Sequence, residues 1–237
     1  MSDNAAILPE QIELVLLDVG GPLYSDAPYA EALLRATREL AGELDESAFW
    51  EVYDARRQRQ AGGLRTAIAE RFIPGADRER LSRLAASYWE YPSSALHDDV
   101  RPTLGLLARR YRLGIVANQR EHVLEALRRD DLLRYFEVLA LSEVVGVEKP
   151  DPAIFEYALR EAGVEAGRGV HVGNRLDTDV RAARRVGLRT IWVLRGEAPP
   201  EPDAEQLATA DAVIHSLAEL PGALAELAGA PRPTPHA

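Results

Sequence analysis

Polar residues gather at four points in the chain where an apolar run stops. Asp18 follows Leu14 to Leu17, and Asn118, Gln119 and Arg120 follow a run ending at Ala117. Lys149 closes a glycine-containing loop, and Asn174, Asp177 and Asp179 follow Val170 to Val172. Two or more carboxylates facing one lysine are the parts of a cation-plus-phosphate site: carboxylate oxygens suit a hard divalent ion, while an ammonium and backbone N–H groups suit an anion. A carboxylate at the end of a buried strand costs desolvation energy unless something uses it, which makes Asp18 a candidate nucleophile. Lys149 stands out because it is the one lysine among 28 basic residues, all the others being arginine. Its retention points to a place where a compact ammonium matters.

For these residues to meet, the elements that carry them must share one edge. A short apolar run that ends at a turn signal such as Gly20-Gly21-Pro22 reads as a strand buried on both faces. Similar strands are expected at 111–117, 138–141, 170–172, 190–194 and 212–214, with helices between them, including one over 179–186 and one after Pro152 that ends at Gly163. Strand and helix in alternation predict an α/β fold with a doubly wound parallel sheet, whose strand ends converge on a ligand-binding edge. Residues 27 to about 91 break the pattern. Apolar residues recur there at helical spacing, and Gly42, Gly62-Gly63 and Pro74-Gly75 divide the stretch into four helices. The expected organisation is a core of residues 1–23 and 93–228, an inserted helical cap at 24–92 and a disordered tail at 229–237. Residues 196–206 read as a Pro- and Glu-rich loop.

Composition narrows the function. A chain of 237 residues with 46% hydrophobic content can bury a real core. A net charge of −10 argues against nucleic acid or an anionic membrane surface as main partner, and leaves a small anionic substrate open through local charge in a cleft. The absence of cysteine removes disulfides, thiol nucleophiles and cysteine zinc sites. Met1 to Glu10 lacks a signal-peptide pattern and no stretch approaches ~20 apolar residues, so a cytoplasmic protein is the expectation. His97, His122, His171 and His215 show no metal-ligand spacing and read as structural or solvated, although His122 follows the second strand closely enough to stand in as an acid–base. Arg56, Arg57, Arg59 and Arg65 read as a solvated face of the cap.

Taken together, the four segments resemble the haloacid dehalogenase superfamily, in the subfamily with a helical cap after the first strand. They are Leu-Leu-Asp-Val-Gly-Gly-Pro-Leu around Asp18, Gly-Ile-Val-Ala-Asn-Gln around Asn118, Gly-Val-Glu-Lys-Pro-Asp-Pro-Ala-Ile-Phe around Lys149, and His-Val-Gly-Asn-Arg-Leu-Asp-Thr-Asp-Val from His171. The resemblance implies a Mg²⁺-dependent phosphatase of a small phosphorylated metabolite, working through an aspartyl-phosphate at Asp18. It implies Lys149 paired with Asp18 and the phosphate. Gly20, Gly21 and Asn118 would lie at the phosphate, with Mg²⁺ held by Asp18, the Gly20 carbonyl, Asn174 and Asp179.

The chain departs from the family pattern in three places. Gly20 stands where most phosphatases of the family carry the aspartate that protonates the leaving group, Asn174 where a direct metal ligand is normally aspartate, and Ala117 where a hydroxyl usually binds phosphate. General acid–base help is worth ~10²–10⁴-fold, so losing it should hurt poor leaving groups most. Two other readings therefore stay open: a metal-independent hydrolase of the dehalogenase type, in which Asp18 attacks carbon, and a binding protein that kept the fold and lost the chemistry.

Overall fold

The computed structural model describes residues 12–229. The signal-peptide reading of Met1 to Glu10 and all of the expected tail beyond Gly229 lie outside them.

Leu14–Leu17 forms β1, and all four of its residues are buried. Four helices follow: α1 Ala27–Ala41, α2 Glu46–Arg59, α3 Leu64–Phe72 and α4 Arg78–Tyr88. The α/β alternation then runs α5 Val100–Leu107, β2 Arg112–Ala117, α6 Val123–Arg129, β3 Val138–Leu141, α7 Ser142–Val145, α8 Ala153–Ala162 and β4 Gly169–Gly173. It closes with α9 Arg181–Arg185, β5 Arg189–Val193, α10 Ala204–Leu207, β6 Ala212–Ile214 and α11 Leu220–Gly229. The strands form one parallel sheet in the order β3-β2-β1-β4-β5-β6. The chain builds outward from β1 to one side, then crosses over to β4 and builds outward to the other. The reversal lies between β1 and β4, where open α/β sheets place their ligands.

Period-2 side chains on β1 serve two cores. Val15 and Leu17 pack with Leu104, Val123, Leu127 and Leu224 on one face, and Leu14 and Leu16 pack with Ile154, Phe155, Ala182 and Ala183 on the other. Both faces are covered by helices, which is why β1 needs no alternation of polar residues. The four-helix block has a core of its own, made of Ala30, Leu33, Phe49, Tyr53, Ile68, Leu81 and Ala85. No helix among the described residues is long and apolar enough to cross a membrane.

Two expectations need correction. The loop at 196–206 contains the start of α10, whose Asp203 and Gln206 form a reciprocal capping box that the surrounding prolines obscure in the sequence. The helix expected from Asp179 instead begins as a π-turn over Leu176–Val180 and becomes regular only at Arg181. The wider turn carries Asp179 inward as part of the core rather than leaving it as a cap.

Candidate active site

Asp18 continues β1, and its N–H donates to the Val172 carbonyl of β4 at 2.9 Å, which fixes it at the reversal point. Its Oδ1 accepts the Val19 N–H at 2.8 Å and lies 3.0 Å from Lys149 Nζ. Oδ2 makes no hydrogen bond among the described residues. Burial pushes the Asp18 pKa up and Lys149 only partly reverses this, while Asp179 adds to the rise; the carboxyl titrates at about 6.

Lys149 reaches this place from the loop between α7 and α8, and its position is set from the end of β2. The Asn118 Oδ1 accepts the Lys149 N–H at 2.6 Å, and the Asn118 Nδ2 donates to the Lys149 carbonyl at 2.9 Å. Asn118, expected at the phosphate, therefore gives its side chain to holding the lysine backbone. The Lys149 ammonium is buried and donates to Asp179 Oδ1 at 2.6 Å as well as facing Asp18. Burial works against its charge, but Asp179 and Asp18 outweigh it and keep the pKa above the ordinary value. Asp179 is held well below the carboxylate range despite burial, because Lys149 and a 3.2 Å contact with His171 Nε2 favour its anion. His171 faces inward from β4; burial lowers its pKa and keeps it neutral.

Gly20 and Gly21 shape the floor. Gly21 adopts φ +82°, open to glycine, and a Cβ there would run into the Asn174 amide. Gly20 has no such dihedral, yet its side-chain space is filled: a Cβ on it would lie 2.7 Å from Asp26 Oδ1. Asp26 lies at the start of α1, and its Oδ2 accepts Asn174 Nδ2 and the Glu197 N–H, each at 3.0 Å. Burial, then Glu197, then Asp18 raise its pKa well above the carboxylate range.

The helical block closes on this edge through α2 and the loop after it. Gln60 is fully buried just beyond α2. Its Nε2 donates to the Arg57 and Glu197 carbonyls at 2.7 Å, and its Oε1 accepts the Leu176 N–H at 2.9 Å. Arg175 bonds Asp177 at 2.8 Å and Glu197 at 2.7 Å. Asp26, Gln60, Arg175 and Glu197 were invisible to spacing arguments. Asp26 precedes Pro28 and reads only as a helix start, and Glu197 lies in a proline-rich stretch.

The donor set expected for Mg²⁺ is only partly free to take a metal. Asp179 has Oδ1 on Lys149 and His171, Oδ2 on the Arg175 N–H at 3.0 Å, and no exposed surface. Asn174 is 3% exposed and its Nδ2 donates to Asp26 and to the Arg195 carbonyl. What remains is Asp18 Oδ2, the Gly20 carbonyl and Asn174 Oδ1, which has no partner among the described residues, beside an ammonium. Among the described residues no three of His, Cys, Asp or Glu form a metal-holding group. With Asp179 withdrawn, one carboxylate and two neutral oxygens would leave an octahedral hard cation to take the rest of its shell from water and substrate phosphate.

A family model for haloacid dehalogenase-like hydrolases matches residues 12–187. The chain belongs to this family. Among the haloacid dehalogenase-like hydrolases it is 31% identical to a glyceraldehyde 3-phosphate phosphatase of Methanopyrus kandleri over 199 residues, 78% of this chain and 85% of the relative. It is 32% identical to a phosphoserine phosphatase of Thermus thermophilus over 181 residues, 75% of this chain and 66% of the relative. In structure it is similar to a haloacid dehalogenase-type phosphatase of Thermococcus onnurineus, at 26% identity and TM-score 0.63, over 90% of this chain and 98% of that one. It is also similar to a 2-haloacid dehalogenase of Pseudomonas syringae, at 28% identity and TM-score 0.56, over 91% and 99% of the two chains.

Proposed function

We propose that this hydrolase is a phosphatase of small phosphorylated metabolites that forms an aspartyl-phosphate on Asp18. The observation that carries the reading is the Asp18–Lys149–Asp179 row at the sheet reversal, with the Asp18 Oδ2 making no hydrogen bond among the described residues. Oδ2 attacks phosphorus, and the phosphate is received by the Lys149 ammonium and by backbone N–H groups of the loops after β1 and β2. Lys149 neutralises negative charge that develops on the transferring group, and Asp179 and Asn118 keep it in place. The four-helix block acts as the cap that covers the leaving group, held down by Gln60 and Arg175. Phosphatase names among the relatives support this reading. Asp18, the Gly20 carbonyl and Asn174 Oδ1 would hold the Mg²⁺ expected from the family resemblance, which would neutralise phosphate charge, and no step is routed through it.

Phosphate release from a panel of small phosphate esters, with and without Mg²⁺, compared with Asp18→Asn, tests the proposal. Release from the wild type that Asp18→Asn abolishes is the expected result; release that survives the change would sink it.

The reduced cation set and the likeness to a 2-haloacid dehalogenase favour a second reading, displacement of halide from a carbon by Asp18. Halide departs as an anion and needs no acid beside it, whereas an alkoxide does. Halide release from 2-chloro acids in chelator, with no phosphate release, would make this the correct one.

A further inference from the structure

The side chain that Gly20 lacks is replaced in space by one from another element. Asp26 Oδ1 lies 2.7 Å from where a Cβ on Gly20 would stand, two residues past Asp18. Gly196, across from it, likewise leaves room for Oδ2, because a Cβ there would overlap that oxygen. The carboxyl is oriented rather than loose. Both of its hydrogen bonds, from Asn174 Nδ2 and the Glu197 N–H, fall on Oδ2, which leaves Oδ1 without a partner among the described residues and directed into the Gly20 space. With both donors on Oδ2, Oδ1 is the oxygen open to carry and transfer a proton.

We infer that Asp26 is the catalytic acid and base of this site, delivering a proton to the leaving-group oxygen and later taking one from water. The inference rests on the proposed attack of Asp18 on phosphorus. In the first step Asp18 Oδ2 bonds to phosphorus and the phosphorus–oxygen bond to the leaving group breaks. The bonding pair stays on the leaving oxygen, which receives the Asp26 Oδ1 proton and departs as an alcohol. In the second step water bonds to phosphorus, gives one proton to the Asp26 carboxylate, and the Asp18–phosphorus bond breaks. Phosphate leaves, Asp18 is again a carboxylate and Asp26 is again protonated.

The surroundings agree. Withdrawal from solvent favours the neutral acid at Asp26, as do the anions Glu197 from the loop after β5 and Asp18 from β1. Tyr29 of α1, Tyr53 of α2 and Tyr91 ahead of α5 also sense its charge, and each is itself held neutral by burial. Arg175 is tied to Asp177 and Glu197 rather than to Asp26. A neutral Asp26 also spares an incoming phosphate a second anion beside Asp18.

The test compares an alkyl phosphate with p-nitrophenyl phosphate, whose leaving group needs no proton. Asp26→Asn should lower kcat/KM on the alkyl ester about 10²-fold or more and on the aryl ester less than about tenfold. The double variant Gly20→Asp with Asp26→Ala returns a carboxyl to the same space and should regain at least about tenfold over Asp26→Ala alone on the alkyl ester. Equal losses on both esters together with no regain would overturn the inference and leave Asp26 a structural residue. Should the Asp26 variants not fold, the wild type alone decides. Across substituted phenyl phosphates kcat/KM should depend weakly on leaving-group pKa, and a steep dependence overturns the assignment. Survival of phosphate release in Asp18→Asn, or its absence from the wild type on every ester, removes the underlying reading as well. A dead Asp18→Asn with uniform Asp26 losses removes this one alone.

Discussion

The Lys149 ammonium stands between two carboxylates of different character, 3.0 Å from Asp18 and 2.6 Å from Asp179. Asp179 is sealed in the core and stays ionised, whereas Asp18 faces the cleft and is held up to about 6. One lysine thus serves as a structural counter-ion on one side and as a partner of the proposed nucleophile on the other. Removing one member of a buried pair leaves the other charge uncompensated, at a cost of about 3–5 kcal/mol. Lys149→Met should therefore lower the unfolding free energy obtained from urea titration by an amount in that range, with a lower midpoint, and abolish activity. Lys149→Arg should not restore it, because a guanidinium fork cannot take the place of a compact ammonium at these two distances. An unchanged midpoint in Lys149→Met would count against the buried pair.

Asp18 itself should weaken the fold at neutral pH. Its folded pKa lies above the unfolded value, so its stabilising contribution is complete below the unfolded pKa of ~4 and is lost as pH rises through about 6. Asp18→Asn should then melt above the wild type at pH 7, with the gap closing toward pH 4, while phosphate release disappears. A gain of stability with loss of activity is the expected exchange at a site where a charge is kept buried for use. Melting curves of the two proteins from pH 4 to 7 check the sign.

Gln60 joins the helical block to the core through two hydrogen bonds, one donated to the Glu197 carbonyl and one accepted from the Leu176 N–H at the start of the π-turn. Gln60→Ala leaves that N–H without its acceptor, and an unmet buried group costs about 1–3 kcal/mol. A lowered melting temperature together with raised KM is expected, since the block would no longer be held over the cleft. Loss of stability without any change in KM would confine Gln60 to a packing role.

At Gly21 a Cβ would meet both a disfavoured φ of +82° and the Asn174 amide. Gly21→Ala should cost about 1–3 kcal/mol from backbone strain alone. It should also displace the Asn174 hydrogen bond to Asp26, so activity falls further than stability accounts for. Chemical denaturation and steady-state kinetics on the same sample separate the two effects.

Metal binding gives a direct check on the donor set. Millimolar Mg²⁺ in the absence of substrate should leave the melting temperature where it is, because one carboxylate and two neutral oxygens beside Lys149 do not compensate for dehydrating the ion. A saturable rise with Mg²⁺ would show that Asp18, Gly20 and Asn174 suffice without substrate, or that Asp179 gives up its protein partners for the metal.

Much of the architecture is legible in the order of residues. Leu14 to Leu17 with no polar alternation can only be a strand covered on both faces, and its stop at Asp18-Val-Gly-Gly places a carboxylate at the sheet edge. A lone lysine in an arginine background, followed by Pro-Asp-Pro, marks a partner for that carboxylate. These are local patterns, in which the identity of a residue and its distance along the chain settle the matter. The α10 capping box and the π-turn before α9 escaped because proline-rich composition and a one-residue widening of a helix leave no period to read.

What tertiary structure decided is who stands next to whom. Asn118 turned from a phosphate contact into the holder of Lys149, and Asp179 from a metal ligand into its buried counter-ion, because both had protein partners within 3 Å once the strand ends converged. Gly20 reads in the sequence as a missing acid. In space the vacancy is occupied by Asp26, delivered by a helix that starts on the far side of a tight turn and bonded to residues 148 and 171 positions away. The sequence alone determined the sheet, its reactive edge and the Asp18–Lys149 pair, since each rests on near-neighbour patterning. The completion of the cleft depended on the packing of distant segments against two glycines, and empty space beside a Cα is a property that no single position in a chain records.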